Sequence, residues 1–390
     1  MLVGAAAHRS ESRRSRRSRT EVRSDMKNQT VTNASLDVPG DSVGAKSPQS
    51  AQQQTRKNLT EILPHAAVPL LFVATFVLFS VLSPDLFFSW TNVRIVLAAQ
   101  ATVLLLAVAI TIPLRSGDMD LSVAAVMVMC ATVVGALYSN GVSALLSCVI
   151  AVGVGLVIGV LNAVLIVVAG LESIIVTLGM YTLVAGLTSF VSGGNLVTTI
   201  PKSLKDFATT PFLTLPAIVW IGWLVALVVW FVFEFTPMGR YLLFVGGNRA
   251  AATLAGLRVS RIRITALIAA AVISAIAGVL FAGSIGSVDP SSGHSYLLAP
   301  ATAAFLGTTM IHMGRFNIIG TLIGLYLLAF GITGLQLLGV QGWVSDVFNG
   351  AALIVAITFA RYFEVLNFAK VRPKKLRNSK GAHSSEPPLR

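Results

Sequence analysis

The chain has 390 residues, 55% of them apolar and only 12% charged, with a mean hydropathy of +0.79; a soluble domain carries about twice that charge, so lipid is the expected solvent. The formal charge of +13 sits in the tails: residues 1–58 hold 11 Lys and Arg against 5 Asp and Glu, and residues 361–390 hold 8 against 2, which leaves 10 against 9 between them. Basic tails on a near-neutral apolar body suit cytoplasmic retention and anionic lipid, and they argue against nucleic acid as a partner.

Residues 1–58 are rich in Arg, Ser, Gln and Asn and lack apolar periodicity. Such a segment cannot offset the entropy of ordering it, so a disordered basic cytoplasmic tail is expected, with Met26 an alternative start. No apolar signal segment precedes Val68. From there, stretches long enough to cross about 30 Å of hydrocarbon as helices fall at 66–83, 93–113, 121–138, 143–169, 173–192, 216–234, 264–286, 316–338 and 346–363. Leu297 to Met310 is apolar but shorter, which fits a short tenth crossing or a re-entrant helix.

Basic residues gather in cytoplasmic loops. With both tails inside, the stretch 235–263, which holds Arg240, Arg249, Arg258, Arg261 and Arg263 and no acid, is cytoplasmic, and the number of crossings is even. The expected fold is all-α: a polytopic membrane helical bundle of about ten transmembrane helices, one short or re-entrant, with cytoplasmic N- and C-termini. It divides into a tail 1–58, a transmembrane domain 59–365 and a basic cytoplasmic tail 366–390. Gly153, Gly155, Gly159 and Ala163 recur at helical spacing and predict close helix approach.

Neither catalysis nor a metal site is expected. The chain has no G-x-x-x-x-G-K-[ST], H-E-x-x-H, C-x-x-C or G-x-S-x-G, its histidines are scattered, and Cys130 and Cys148 lie in apolar runs. Arg94, Arg115, Asp118, Asp120, Glu172 and Glu234 all fall at span ends, which weakens an ion-coupled carrier, since that needs an ionisable group at mid-membrane.

Two segments carry more information. Ser116-Gly117-Asp118-Met119-Asp120-Leu121-Ser122-Val123 interrupts an apolar run; Asp120 and Ser122 suit capping of the next helix or contact with a translocation path. In the cytoplasmic stretch, Thr236 to Arg240 is followed by Gly246-Gly247-Asn248-Arg249-Ala250-Ala251-Ala252-Thr253-Leu254-Ala255-Gly256-Leu257-Arg258. An Ala-rich helix at about 247–256, bracketed by Gly247 and Gly256, is too short to span and needs a partner's groove.

These residues resemble the permeases of ribose-type and branched-chain amino acid-type ABC importers. The cytoplasmic loop of that family reads T-x-x-G-R, then G-x-N-x-x-A-A-x-x-x-G, matched by Thr236, Gly239, Arg240, Gly246, Asn248, Ala251, Ala252 and Gly256. The family's G-I-D-L-S-V-G resembles Asp118 to Ala124, with Asp118 and Ala124 in place of glycines. Gly159 to Asn162 and Ile174 to Gly179 are similar to its G-x-x-N and F-I-V-T-L-G, with Glu172 where proline is common; Phe305-Leu306-Gly307, Gly314-Arg315 and Gly320 follow its glycine-rich motif, from which Thr308 and Met313 depart.

The resemblance implies a bacterial inner-membrane permease for a sugar-like solute. It implies as partners cytoplasmic ABC ATPase subunits, an extracytoplasmic solute-binding protein and a second permease, as homodimer or heterodimer. ATP and Mg would be bound by the ATPase and no cofactor by this chain. The short helix at about 247–256 is then the coupling helix, and the expected ATPase-coupling residues are Gly239, Arg240, Gly246, Gly247, Asn248, Ala251, Ala252, Gly256 and Arg258. The expected path residues are Asp120, Ser122, Asn162, Thr177 and Thr182. The alternatives are a branched-chain amino acid permease and an ion-coupled secondary carrier.

Overall fold

The computed structural model describes residues 68–311 and 314–371; the tail 1–58 and nearly all of the tail 366–390 lie outside the described residues. The chain is an all-α bundle. Its helices are α1 Val68–Leu82, α2 Trp90–Arg115, α3 Val123–Ser139, α4 Ala144–Ala163, α5 Ser173–Ser192 and α6 Lys202–Thr209. There follow α7 Ala217–Phe235, α8 Pro237–Gly247, α9 Arg249–Leu254, α10 Val259–Ile285, α11 Leu298–Gly307, α12 Ile318–Leu337 and α13 Val344–Val371. A π turn at Val164–Val168 extends α4. Among the described residues, six helices are long and apolar enough to cross a membrane: α2, α4 with its π turn, α5, α7, α10 and α12.

Every stretch expected to span is a helix, with two shifted ends. α10 begins at Val259 rather than 264, and α13 runs to Val371 rather than 363, because hydropathy sees only the greasy part of a helix that continues into water.

Burial sorts the helices. α2 is buried without a break from Ala101 to Arg115, and α3 from Val123 to Gly135; a helix apolar on every side belongs in the centre of a bundle. α10 packs against both. Helices in lipid associate by packing rather than by the hydrophobic effect. Accordingly, Gly155 and Gly159 of α4 sit on Ala275 and Ala271 of α10, while Gly153 faces open space. α5 and α7 leave wide apolar faces uncovered, with Phe190 84% exposed.

Polar side chains fix the helix ends. Ser89 caps α2 by accepting from Asn92 N–H at 3.1 Å. Asn317 caps α12 by accepting from Gly320 N–H at 2.7 Å, while its Nδ2 donates to the Gly307 carbonyl at 3.0 Å. That bond ties the end of α11 to the start of α12, and a side chain on Gly307 or Gly320 would strike the other's backbone.

The bundle has two ends. At one, the Arg115 guanidinium donates to the carbonyls of Phe233 and Phe316, so the ends of α2 and α7 meet the start of α12. At the other, Val197 and Val288 exchange backbone hydrogen bonds at 2.9 and 2.8 Å, joining the α5–α6 and α10–α11 connections. A two-residue hairpin turn at Leu213 and Thr214, both with positive φ, lies in the α6–α7 connection. There Ser291 donates to Asp289 through its N–H and hydroxyl and holds that exposed carboxyl below the usual carboxylate range.

Candidate functional site

The α7–α10 connection departs from the expected form. Pro237 opens α8, at a position where its missing N–H costs nothing; a helix that the sequence reading did not assign therefore leads into the short one. Asn248 alone separates α8 from α9, in extended conformation, and its side chain accepts from Ala251 N–H at 3.0 Å. The short helix is thus Arg249–Leu254, started by the Asn248 cap. Gly247 is the last residue of α8, and Gly256, at φ +80°, turns the chain towards α10. Ala252 is buried and anchors the hook, whereas Leu254 is 90% exposed and Arg240 and Arg258 point outward.

The hook is joined to the break between α2 and α3. Gly117 at φ +80° meets Gly246, and a side chain on Gly246 would collide with the Arg115 carbonyl oxygen. This close approach brings Arg249 Nη2 to 2.9 Å from both the Gly117 carbonyl and Asp118 Oδ1. Arg263, on the first turns of α10, adds a fork: Nε to Oδ2 and Nη2 to Oδ1, both 2.7 Å. Asp118 is 1% exposed, Arg263 13% and Arg249 46%. A buried carboxylate gripped by two cations is tolerated because its oxygens are filled. Beside this joint lies a polar cleft of about 630 Å³, lined by Asp118, Glu172, Ser173, Asn248, Arg249 and Arg263 among others.

A second joint lies at the same end. Arg115 lies 4.3 Å over the Phe233 ring and 3.5 Å from Glu234. The two joints tie α2, α7, α8, α9, α10 and the start of α12 at one end of the bundle.

Four of the five expected path residues are interior. Asp120 Oδ1 accepts from the Ser122 N–H at 2.9 Å and its hydroxyl at 2.6 Å, and Asn162 Nδ2 donates to Ser122 Oγ at 2.8 Å. Ser122 therefore does not cap α3 with its side chain, as expected; it is spent linking α3 to α4. Asp120 Oδ2 and Asn162 Oδ1 are buried without a partner among the described residues, which makes this network costly to keep. Thr177 donates to the carbonyls of Ser173 and Met119, fixing the break against α5. Thr182 is exposed on α5.

Sequence reasoning singled out Arg240 and Arg258 beside the hook and missed Arg249 and Arg263 as the side chains that hold Asp118, and Leu254 as the exposed apolar residue. The one available signal was Asp118, an acid standing where the resembled family has glycine.

Comparison with known proteins finds membrane transport permeases. The family described as "Branched-chain amino acid transport system / permease component" matches residues 92–357. The ribose import permease protein of Escherichia coli K12 is 30% identical over 282 residues, 71% of this chain and 88% of that protein. The ribose import permease protein of Haemophilus influenzae is 28% identical over 298 residues, 75% and 92% of the two chains. The autoinducer 2 import system permease protein of Yersinia pseudotuberculosis is 29% identical over 273 residues, 70% and 78%. No solved structure matches the chain.

Proposed function

We propose a solute-import role that starts from one premise: this chain belongs to the family of branched-chain amino acid transport system permease components. It is a multi-pass membrane protein of the inner membrane. The solute is a sugar or sugar-like molecule, a reading supported by relatives whose names specify ribose and autoinducer 2.

The chain crosses the membrane ten times with both termini cytoplasmic, α11 being the short crossing. In support, the end that holds the hook also holds Arg240, Arg249, Arg258, Arg261, Arg263 and Arg315, as cytoplasmic loops require.

α9 is the coupling helix. Asn248 starts it, Gly246 and Gly239 let α8 lie tight against its neighbours, and Gly247 and Gly256 flank it. Ala252 anchors it from within, and Ala251, Leu254, Arg240 and Arg258 shape the face offered to a cytoplasmic ATPase subunit. ATP binding and hydrolysis there move α9, and Arg249 passes that movement to Asp118 and so to the start of α3 and α10. Such a shift between two packed arrangements gives alternating access.

The translocation path runs along the open face of α5 past Thr182, between this chain and a second permease. Asp120, Ser122, Asn162 and Thr177 support that face from behind. An extracytoplasmic solute-binding protein docks on the opposite end, where the Val197–Val288 bridge joins the α5–α6 and α10–α11 connections.

The observation that carries this reading is the hook itself: an exposed Leu254 on a six-residue helix, wired by Arg249 to a buried carboxylate. Leu254→Glu is expected to leave the protein in the membrane and abolish ATP-driven uptake, measured with labelled ribose in cells that carry the partner subunits. Unchanged uptake would remove α9 from the coupling role.

A further inference from the structure

We propose that a cavity at the end of the bundle away from the hook, enclosed by α2, α11, α12 and α13, is a docking site for an uncharged, polyhydroxylated solute. The inference rests on the import reading above and adds a place and a chemistry to it. The cavity measures about 450 Å³, within the range of small-molecule sites. It lies beside the outer half of α2, around Gln100, and is separate from the Asp120, Ser122 and Asn162 network.

Its polar lining is neutral and uncommitted. Gln100, Tyr296, Thr333, Gln336 and Asn349 line it, and no Asp, Glu, Lys, Arg or His does. The side chains of Gln100, Tyr296, Thr333 and Asn349 bond to no other described residue, and Gln336 reaches only Ser345, at 3.5 Å. Thr333 is informative here. Thr302, Thr321 and Thr358 each donate back to the carbonyl four residues earlier, the usual refuge of a helical hydroxyl, and Thr333 does not. Two amides, Gln100 and Asn349, and two hydroxyls, Tyr296 and Thr333, therefore face one space from α2, α13, the α10–α11 connection and α12 without a hydrogen bond to another described residue.

These groups are partly exposed and open to the cavity, so water or a ligand meets them there. An ion would find no counter-charge, so the ligand is neutral. Amides and hydroxyls both donate and accept, which matches a molecule whose own groups do both, as sugar hydroxyls do. The ring of Tyr296, together with Val96 and Leu328, offers the apolar surface against which the C–H face of such a molecule packs.

The test uses the full chain alone in lipid nanodiscs, so that neither ATPase nor uptake enters the readout. In a Cys148→Ser background, with Cys130 buried, Thr333→Cys and Asn349→Cys are made separately. Their rates of reaction with a small water-soluble thiol reagent are followed with and without D-ribose, L-leucine or ribose 5-phosphate. Both thiols are expected to react, and ribose to slow them by about threefold once it reaches twice its Kd, while leucine and ribose 5-phosphate leave the rates unchanged. Failure of both thiols to react, equal slowing by all three probes, or slowing by leucine in place of ribose would each overturn the assignment. Loss of coupling in Leu254→Glu reads the import reading separately.

Discussion

Asp118 is the residue on which the cytoplasmic end turns, and its neighbours make unequal demands on it. Arg263 is mostly buried and grips the carboxylate with two bonds, so Arg263→Ala leaves Oδ2 without a donor and Arg249 as the one remaining cation, and should cost about 1–3 kcal/mol, read as a lowered melting temperature of the purified protein. Arg249 is about half exposed, and solvent screening limits its share to about 1 kcal/mol or less. Arg249→Ala should therefore melt near the parent protein yet transport poorly, because it cuts the link between hook and bundle. Uptake at the parental rate in Arg249→Ala would show that the link carries no signal. None of this was legible in the sequence. Asp118 stands 131 and 145 residues from its two partners, and nothing local announces a pairing at that distance. The Asp120–Ser122–Asn162 cluster was legible as a set of polar residues, but its burial was not, since helices apolar all round give no clue to which face looks inward.

Helices were the most legible elements, because a bilayer admits few other ways to satisfy a backbone. The nine apolar runs and the shorter one at α11 all fall on helices, six of them long and apolar enough to span among the described residues. α8 was missed for the opposite reason: its 11 residues mix Arg240 with Leu242 and Phe244, and neither length nor periodicity sets it apart from a loop. At this scale the close contacts are the weak points. A side chain on Gly278 of α10 would strike the Met127 carbonyl of α3, so Gly278→Val should force the two central helices apart at about 1–3 kcal/mol. Reduced yield of folded protein on size-exclusion chromatography would report it. By contrast Gly153, which faces open space, should accept valine with no such loss, and equal damage at both sites would refute the packing account.

For the whole molecule, the greasy body, the neutral interior charge balance and the family motifs were enough to reach a transport subunit. They could not reveal how its two ends communicate. Buried helices run from the end that holds the hook to the opposite end, where connections and a neutral polar cavity gather; a rigid bundle of that kind moves as packed blocks rather than by local bending. The central claim is that an external ATPase drives the chain through its hook. The most direct measurement is uptake of labelled ribose into proteoliposomes that contain the chain, its ATPase and its binding protein. The account predicts uptake that requires ATP, persists when proton and sodium gradients are collapsed, and vanishes with Leu254→Glu. Accumulation by the chain alone, driven by an ion gradient without ATP, would contradict it.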